Sequence, residues 1–554
     1  MSVIKKLTII IAIFQIFLQN YCHCSEDVPK SYYVKPIDVV CDYPFNDTTK
    51  WAVTCRVWGL LKYYHPNVTA GKLDWDQVLL DRMDKIREAD SPEQVNAELI
   101  QMIRIAGEYE FQTDDTWNDS LNMNVNLCWL DHSFINDSIR QELRRIASLT
   151  VTNYWYHPQI ISSGTPNNEK EYHMGFSVPF EYQMLALFKY WNVIYYFFPY
   201  KYLMDQSWDA TLSEFIPIFQ RTADGLFYRK AIAQLASQIN DGHGFTSVLN
   251  HGFHNPFNYI TLIDSSTVVR NPHQGSLLER GDIILSINKN NIGTFRDSTA
   301  LLIPSSHKRY TDYIVNGIIY GLIMNGCNLT VKRNCQIITL NERTRSYHNE
   351  VPAQPHYAIT QDVYYVNLGM LHQSDIADMT SNLKNYRGAI LDLRHSIQIN
   401  PWDLLPYLFQ TQKYCYGLAM YADLSHPGAF EKKELMMGFP DELWQSCEKY
   451  SGKIAVLINE TTMSTSETWA MSFRINSFTL VGTPTAGANG NVTILSLPGN
   501  ITAYYSGLGF YFPDGTQTQR TGIIPDIEVF PTMDDILAGR DEVLEAAINY
   551  LNSN

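Results

Sequence analysis

Two things are scarce in this sequence, clustered positive charge and long apolar runs, and each scarcity removes a class of function. Asp and Glu outnumber Lys and Arg by 57 to 42, a formal net charge of −15. Neutralising nucleic-acid phosphates takes clustered Lys and Arg. No such basic stripe occurs, so no nucleic-acid partner is expected. No apolar run approaches the ~20 residues of a membrane-spanning helix, so no stable membrane span is expected either. The Cys spacings match no zinc site, and H-E-x-x-H is absent. The HGFH run at 251–254 lacks carboxylate partners, so the sequence implies no metal and no other cofactor.

What is present is a long, apolar-rich chain. Its 554 residues exceed one ordinary core and predict two to four domains. Residues 1–24 have the layout of a secretory signal peptide. Lys5 and Lys6 precede an apolar run from Leu7 to Leu18, and Cys22 and Cys24 sit at −3/−1 spacing before Ser25. This predicts a secreted or periplasmic protein, with a lipid on Cys22 or a buried N-terminal helix as rival readings. Seven Cys remain beyond the leader, at 41, 55, 128, 327, 335, 415 and 447. In an oxidising compartment they permit up to three disulfides, and Cys327 and Cys335 flank a strand-like run that such a bridge would close locally. Asn46, Asn67, Asn118, Asn136, Asn328, Asn459, Asn491 and Asn500 each open an N-x-S/T sequon. Nothing in the sequence specifies an oligomeric state.

An internal repeat organises the N-terminal half. RVWGLLKYYHPN from Arg56 and KYWNVIYYFFPY from Lys189 align without gaps, at the offset that also pairs Trp58 with Trp191, Trp75 with Trp208 and Asp76 with Asp209. Each copy reads as an aromatic helix stopped by Pro, then a Trp-Asp pair opening a second helix. Two helical hairpins packing aromatic faces, or an aromatic ligand cleft, both fit. Residues 25–180 thus form an N-terminal helical region with the first copy, within which 110–180 read as β-rich or irregular. Residues 181–250 carry the second copy and the helical run YRKAIAQLASQI (228–239), which ends at NDGHGF.

Residues 251–350 form a different, β-rich unit. GSLLERGDIILSIN sets a Gly-Asp turn before an alternating strand, DYIVNGIIYGLI reads as helix or strand, and CNLTVKRNCQIITL reads as a hairpin. LLERGDIILSINKNNI resembles a PDZ domain, a module that adds an extended peptide as a strand at a sheet edge. A structural β-rich insertion is the other reading. Residues 351–554 alternate β and α, with VYYVNLG, SDIADMTSNLKNY, AILDLR, KIAVLI and FTLVGT in order, closed by RDEVLEAAINYL. That alternation predicts a mainly parallel sheet with covering helices.

NETTMSTSETW (459–469) leaves the buried run IAVLI and enters a helix-like run. Free N–H groups at a helix start favour developing negative charge. A nucleophilic Ser464 would therefore have the Thr465 N–H as an oxyanion donor. A second donor is expected from the loop after DLR, around His395 and Ser396. The competing reading is a capping box, Ser464 to Glu467. A nucleophile also needs a base, and His243, set between two Gly in NDGHGF, suits that task near neutral pH.

ILDLR, IAVLINETTMSTSE, LVGTPTAGANGNV and YYFPDGTQTQRTGIIPDIEV, preceded by NDGHGF and the PDZ-like insert, together resemble the C-terminal processing, or tail-specific, serine peptidase family. The resemblance implies a crotonase/Clp-protease-like α/β core and hydrolysis of peptides or unfolded protein tails through an acyl-enzyme. Within it the nucleophile lies three residues before a Glu, which selects Ser464. One branch uses a Lys as base about 25 residues later, but Gly487-Ala488-Asn489-Gly490 has none. The tricorn-like branch uses a His in a D-G-H-type segment, which His243 matches. There the His is oriented by a Ser before it and a Glu near G-x-x-P-D. Here Gly242 and Gln519 occupy those places, so Gln519 or Asp241 is the candidate orienter. A non-catalytic peptide- or ligand-binding protein on the same fold is the alternative that these departures motivate.

Overall fold

The computed structural model describes residues 44–110, 122–158, 168–221, 224–249, 259–343 and 354–553. The expected leader, Cys41, the HGFH run and the sequon at Asn118 lie outside them.

The helical region contains α1 (Asp47–Tyr64), α2 (Trp75–Leu80), α3 (Asp137–Ala147), α4 (Phe180–Phe197), α5 (Trp208–Gln220) and α6 (Gly225–Ser237). Asn46 caps α1 by accepting from the Thr49 N–H at 2.9 Å. The equivalent helices α1 and α4 both end two residues before the Pro of their repeat. In the first copy the Trp58 and Trp75 indoles each donate to the other's carbonyl, at 3.1 and 3.0 Å. Trp191 and Trp208 repeat this clasp at 2.8 and 2.9 Å. The copies also exchange ions. Arg56 pairs with Asp209 at 2.7 Å, and its counterpart Lys189 reaches back to Asp76 at 3.4 Å. Both aromatic faces are filled by each other, with Tyr63 and Tyr196 rings 5.4 Å apart, so the repeat builds a core rather than a cleft. Helix α3 was expected as β-rich or irregular. Its Ile139, Leu143 and Ile146 are buried at helical spacing, a signal that the surrounding charged and Asn-rich residues obscure.

The β-rich unit is an antiparallel sheet of β1 (Ile260–Ile263), β2 (Ser266–Val269), β3 (Ile283–Ile287), β4 (Cys327–Arg333) and β5 (Gln336–Glu342), in that spatial order. The Gly-Asp turn is real, and Gly281 takes φ +86°, a conformation that favours glycine. The ambiguous run 312–323 is helical, within α7 (Lys308–Met324), which packs beside β1. A helix beside an edge strand is compatible with a PDZ-like unit. The expected local bridge does not form, since Cys327 and Cys335 are both free. The hairpin explains this: Cys327 pairs with Glu342 at its open end, and Cys335 sits in the turn after Arg333. Cys55, Cys415 and Cys447 are free as well, and Cys128 is disulfide-bonded. Among the described residues no helix is long and apolar enough to cross a membrane.

The C-terminal unit runs β6 (His356–Ala358), β7 (Val363–Asn367), β8 (Gly388–Asp392), β9 (Lys413–Ala422), β10 (Ala429–Gly438), β11 (Lys453–Ile458), α8 (Thr465–Ile475), β12 (Thr479–Gly482), β13 (Val492–Leu497), β14 (Ile501–Ser506), β15 (Leu508–Tyr511), β16 (Ile527–Glu528) and α9 (Glu542–Asn552). Its main sheet has the order β16-β12-β11-β8-β7-β6 and is parallel throughout except at β6. The expected mainly parallel α/β core is therefore present, and its central strand β8 is buried at every position, as such sheets require. An antiparallel sheet, β10-β9-β15, and the hairpin β13–β14 were not anticipated. Strand β9 escapes a pattern reading because both its faces are covered. Leu418, Met420 and Ala422 join the core of the helical region, while Tyr416, Ala419 and Tyr421 join that of the α/β unit. This strand fuses the two.

Candidate active site

The run NETTMSTSETW links β11 to α8, and its hydroxyls sort themselves by their bonds. Thr461 donates to the Arg394 carbonyl at 2.6 Å and Thr462 to that of Leu393 at 3.1 Å. Both tie the turn to the end of β8. Ser466 approaches the His395 carbonyl at 3.5 Å, and the Thr465 hydroxyl is buried without a partner. Ser464 differs from all four. It is half-buried, and it stands at the N-cap of α8 in a capping box with Glu467.

The Ser464 backbone stands at φ 57°, ψ −119°. This lies outside the helical and extended wells and costs of order 1–3 kcal/mol for a residue with a Cβ. Two contacts on its N–H hold it there, the Ala488 carbonyl at 3.1 Å and the Glu467 carboxylate at 3.2 Å. The expected capping box between Ser464 and Glu467 is therefore present. The same carboxylate accepts from Thr485 Oγ1 at 2.5 Å, Gly487 N at 2.9 Å and Ala488 N at 3.0 Å. Burial pushes its pKa up to about 7 against these donors. Glu467 therefore clamps the TAGAN loop onto the turn that carries Ser464. The Thr465 N–H opens α8 immediately after Ser464.

His243 is positioned from the other side. Residues 245–247 run antiparallel to β14, through Tyr504 N to Phe245 O at 3.0 Å and Ser247 N to Thr502 O at 2.8 Å. This stitching sets the D-G-H segment opposite Ser506. The buried Asp241 carboxylate accepts from Ser506 N at 2.6 Å, Ser506 Oγ at 2.9 Å, His243 N at 3.1 Å and Gln519 Nε2 at 3.1 Å. Ser506 Oγ lies 3.0 Å from His243 Nδ1. Because the Ser506 proton is given to Asp241, its oxygen accepts from Nδ1–H, which fixes the tautomer and leaves Nε2 as the basic nitrogen. Burial lowers the pKa of His243, and the Asp241 charge works in the opposite direction.

The predicted residues Asp241, His243 and Gln519 thus share one hydrogen-bonded network, with Gln519 bonded to Asp241 and not to the imidazole. Ser506 was missed, because a lone Ser at a strand end carries no motif. Gly242 abuts the Ser464 turn. A Cβ on it would stand 2.7 Å from that of Ala488, the residue whose carbonyl holds the Ser464 N–H. No hydrogen bond joins the Ser464 hydroxyl to the His243 ring. His395 lies in the loop after β8 beside Ser466, where burial lowers its pKa. Three residues of the β-rich unit, also missed, brace the same place. Ser306 Oγ accepts from the Gly242 N–H at 3.0 Å, His307 Nε2 is 2.7 Å from the Thr485 carbonyl, and Tyr310 Oη is 3.1 Å from Met463 Sδ. Among the described residues no group of acidic, His or Cys side chains could hold a metal ion.

Residues 362–529 match the sequence profile of peptidase family S41. No curated protein matches the chain in sequence. Among solved structures, mature CPAF complexed with lactacystin is similar at 12% identity and a TM-score of 0.51, over 67% of this chain and 98% of that one. A protein of Parabacteroides merdae described as a candidate peptidase matches at 16% identity and a TM-score of 0.40, over 68% of this chain and 98% of its own. The photosystem II D1 C-terminal processing protease matches at 16% and 0.39, over 67% and 98%. At such identities, what CPAF and this chain share is the fold.

Proposed function

We propose that the chain is an exported serine peptidase acting on peptides or unfolded protein tails, a reading that the match of residues 362–529 to the profile of peptidase family S41 supports. Ser464 is the nucleophile. His243 Nε2 takes the Ser464 proton as the hydroxyl attacks the scissile carbonyl, and returns it to the leaving amine. The Thr465 N–H, with the loop at His395 and Ser396, stabilises the oxyanion. Water then hydrolyses the acyl-enzyme through the same base. Asp241 acts through Ser506 to hold the imidazole, in place of the Glu that the resemblance to the tricorn-like branch leads one to expect, while Gln519 helps to hold Asp241.

One observation carries this reading: the strained backbone of Ser464, at φ 57° and ψ −119°, at the start of a helix. A residue that served only as a cap would take the extended backbone usual at that position and need no such strain. Labelling by a fluorophosphonate near neutral pH tests it, with Ser464→Ala as control. The wild type should label and cleave an unfolded protein, and the variant should do neither while remaining folded. A folded wild type that neither labels nor cleaves would instead be a ligand-binding protein on a peptidase fold.

A further inference from the structure

The sequons are not equivalent in the folded chain. Asn459 and Asn491 are buried, so an oligosaccharide on either would have no way out of the fold. Asn67 donates its Nδ2 to the Ala106 and Glu108 carbonyls, both at 2.9 Å. Asn500 gives its Nδ2 to the Met174 carbonyl at 2.7 Å. In those two the nitrogen that would carry a sugar is already holding backbone.

Asn46, Asn136 and Asn328 are exposed and use their side chains the other way round. Asn46 Oδ1 caps α1 at Thr49 N, 2.9 Å. Asn136 Oδ1 caps α3 at Ile139 N, 2.9 Å. Asn328 Oδ1, on β4, accepts from Asn341 Nδ2 at 2.7 Å. Each oxygen does the structural task and each Nδ2 is left to solvent. Asn328 also lies on the sheet face that carries Ile337 of β5, which pairs with Lys332 of β4 and is 72% exposed. An attached oligosaccharide there would screen an apolar edge strand that is otherwise open to pairing.

We infer that Asn46, Asn136 and Asn328 are N-glycosylation sites of the exported chain, and that Asn67, Asn459, Asn491 and Asn500 are not. The co-substrate is an oligosaccharide on a lipid pyrophosphate carrier. Its anomeric carbon leaves the pyrophosphate oxygen and bonds Asn Nδ2, the amide gives up one proton, and the carrier departs as pyrophosphate. Oligosaccharide is added before folding is complete. Occupancy at a buried or bonded Asn would therefore bar the native state, and the folded population carries none there.

The inference rests on the export reading, and one experiment separates the two. The full-length wild type is secreted from eukaryotic cells, its N-terminus is sequenced, and glycans are removed enzymatically in heavy-oxygen water before peptide mapping. Labelled aspartate is expected at 46, 136 and 328 and at none of 67, 459, 491 or 500. A chain with its leader removed but these three positions unlabelled overturns the glycosylation alone, as does label at any of the other four. A chain with its leader retained and no glycan overturns both.

Discussion

Replacing Ser506 by alanine deletes one hydroxyl from the path between Asp241 and His243. Two hydrogen bonds go with it, the 3.0 Å contact to Nδ1 and the 2.9 Å donation to Asp241. The Nδ1–H then stands buried without an acceptor, which costs about 1–3 kcal/mol. The imidazole also becomes free to place its proton on Nε2, where it can no longer act as a base. At about 1.4 kcal/mol per factor of ten, kcat should fall roughly 5- to 150-fold, with a smaller effect on KM. Ser506→Thr, which keeps the hydroxyl, should recover part of the loss. Asp241→Asn gives an independent reading by pH. The Asp241 charge raises the pKa of His243 against its burial, so removing it should move the acid limb of the kcat/KM profile to lower pH. Steady-state cleavage of an unfolded protein between about pH 4 and 9, with thermal unfolding as a fold check, measures all three variants. A folded Ser506→Ala enzyme within about twofold of wild type, together with an unmoved Asp241→Asn acid limb, would refute the relay.

Three further outcomes follow from other parts of the molecule. Gly242→Ala should lower kcat more than stability, because its Cβ would press on Ala488 at 2.7 Å and disturb the carbonyl that holds Ser464; overpacking of this kind costs about 1–3 kcal/mol, and equal losses of activity and stability would contradict it. Burial lowers His65 to about 4 and His157 to about 3. Their stabilising contribution is therefore present above the unfolded value near 6.5 and lost as pH falls, by about 2 kcal/mol per His at pH 5, which urea unfolding at pH 7.5 and 5 would measure and which His157→Phe should reduce. Trp208→Phe removes the donation to the Trp191 carbonyl and should cost about 1–2 kcal/mol in thermal unfolding without changing the labelling of Ser464.

The sequence carried the turn of Ser464, the D-G-H segment and the alternating β-α order, because each is local: a buried strand, a Gly-flanked His, a Pro that ends a helix. It did not carry Ser506 or Ser306, which reach the site only because β14 and the start of α7 arrive there from other parts of the chain. Backbone strain at Ser464 is likewise invisible in letters, since Ser is an ordinary residue in ordinary conformations. Strand β9 was missed for the opposite reason, being covered on both faces and so showing no alternation. The Cys327–Cys335 bridge, expected because the two flank a strand-like run, does not form because the hairpin separates its ends by nearly a full strand.

The ions exchanged between the two helical copies bear on how this region came to be one body. Arg56 is answered by Asp209 of the opposite copy, while Lys189 shares Asp76 and Glu169 with Lys62 of the first copy. Removing or replacing either half would leave Arg56 or Asp209 without its partner in the opposite copy. Changes in one copy are therefore constrained by the other.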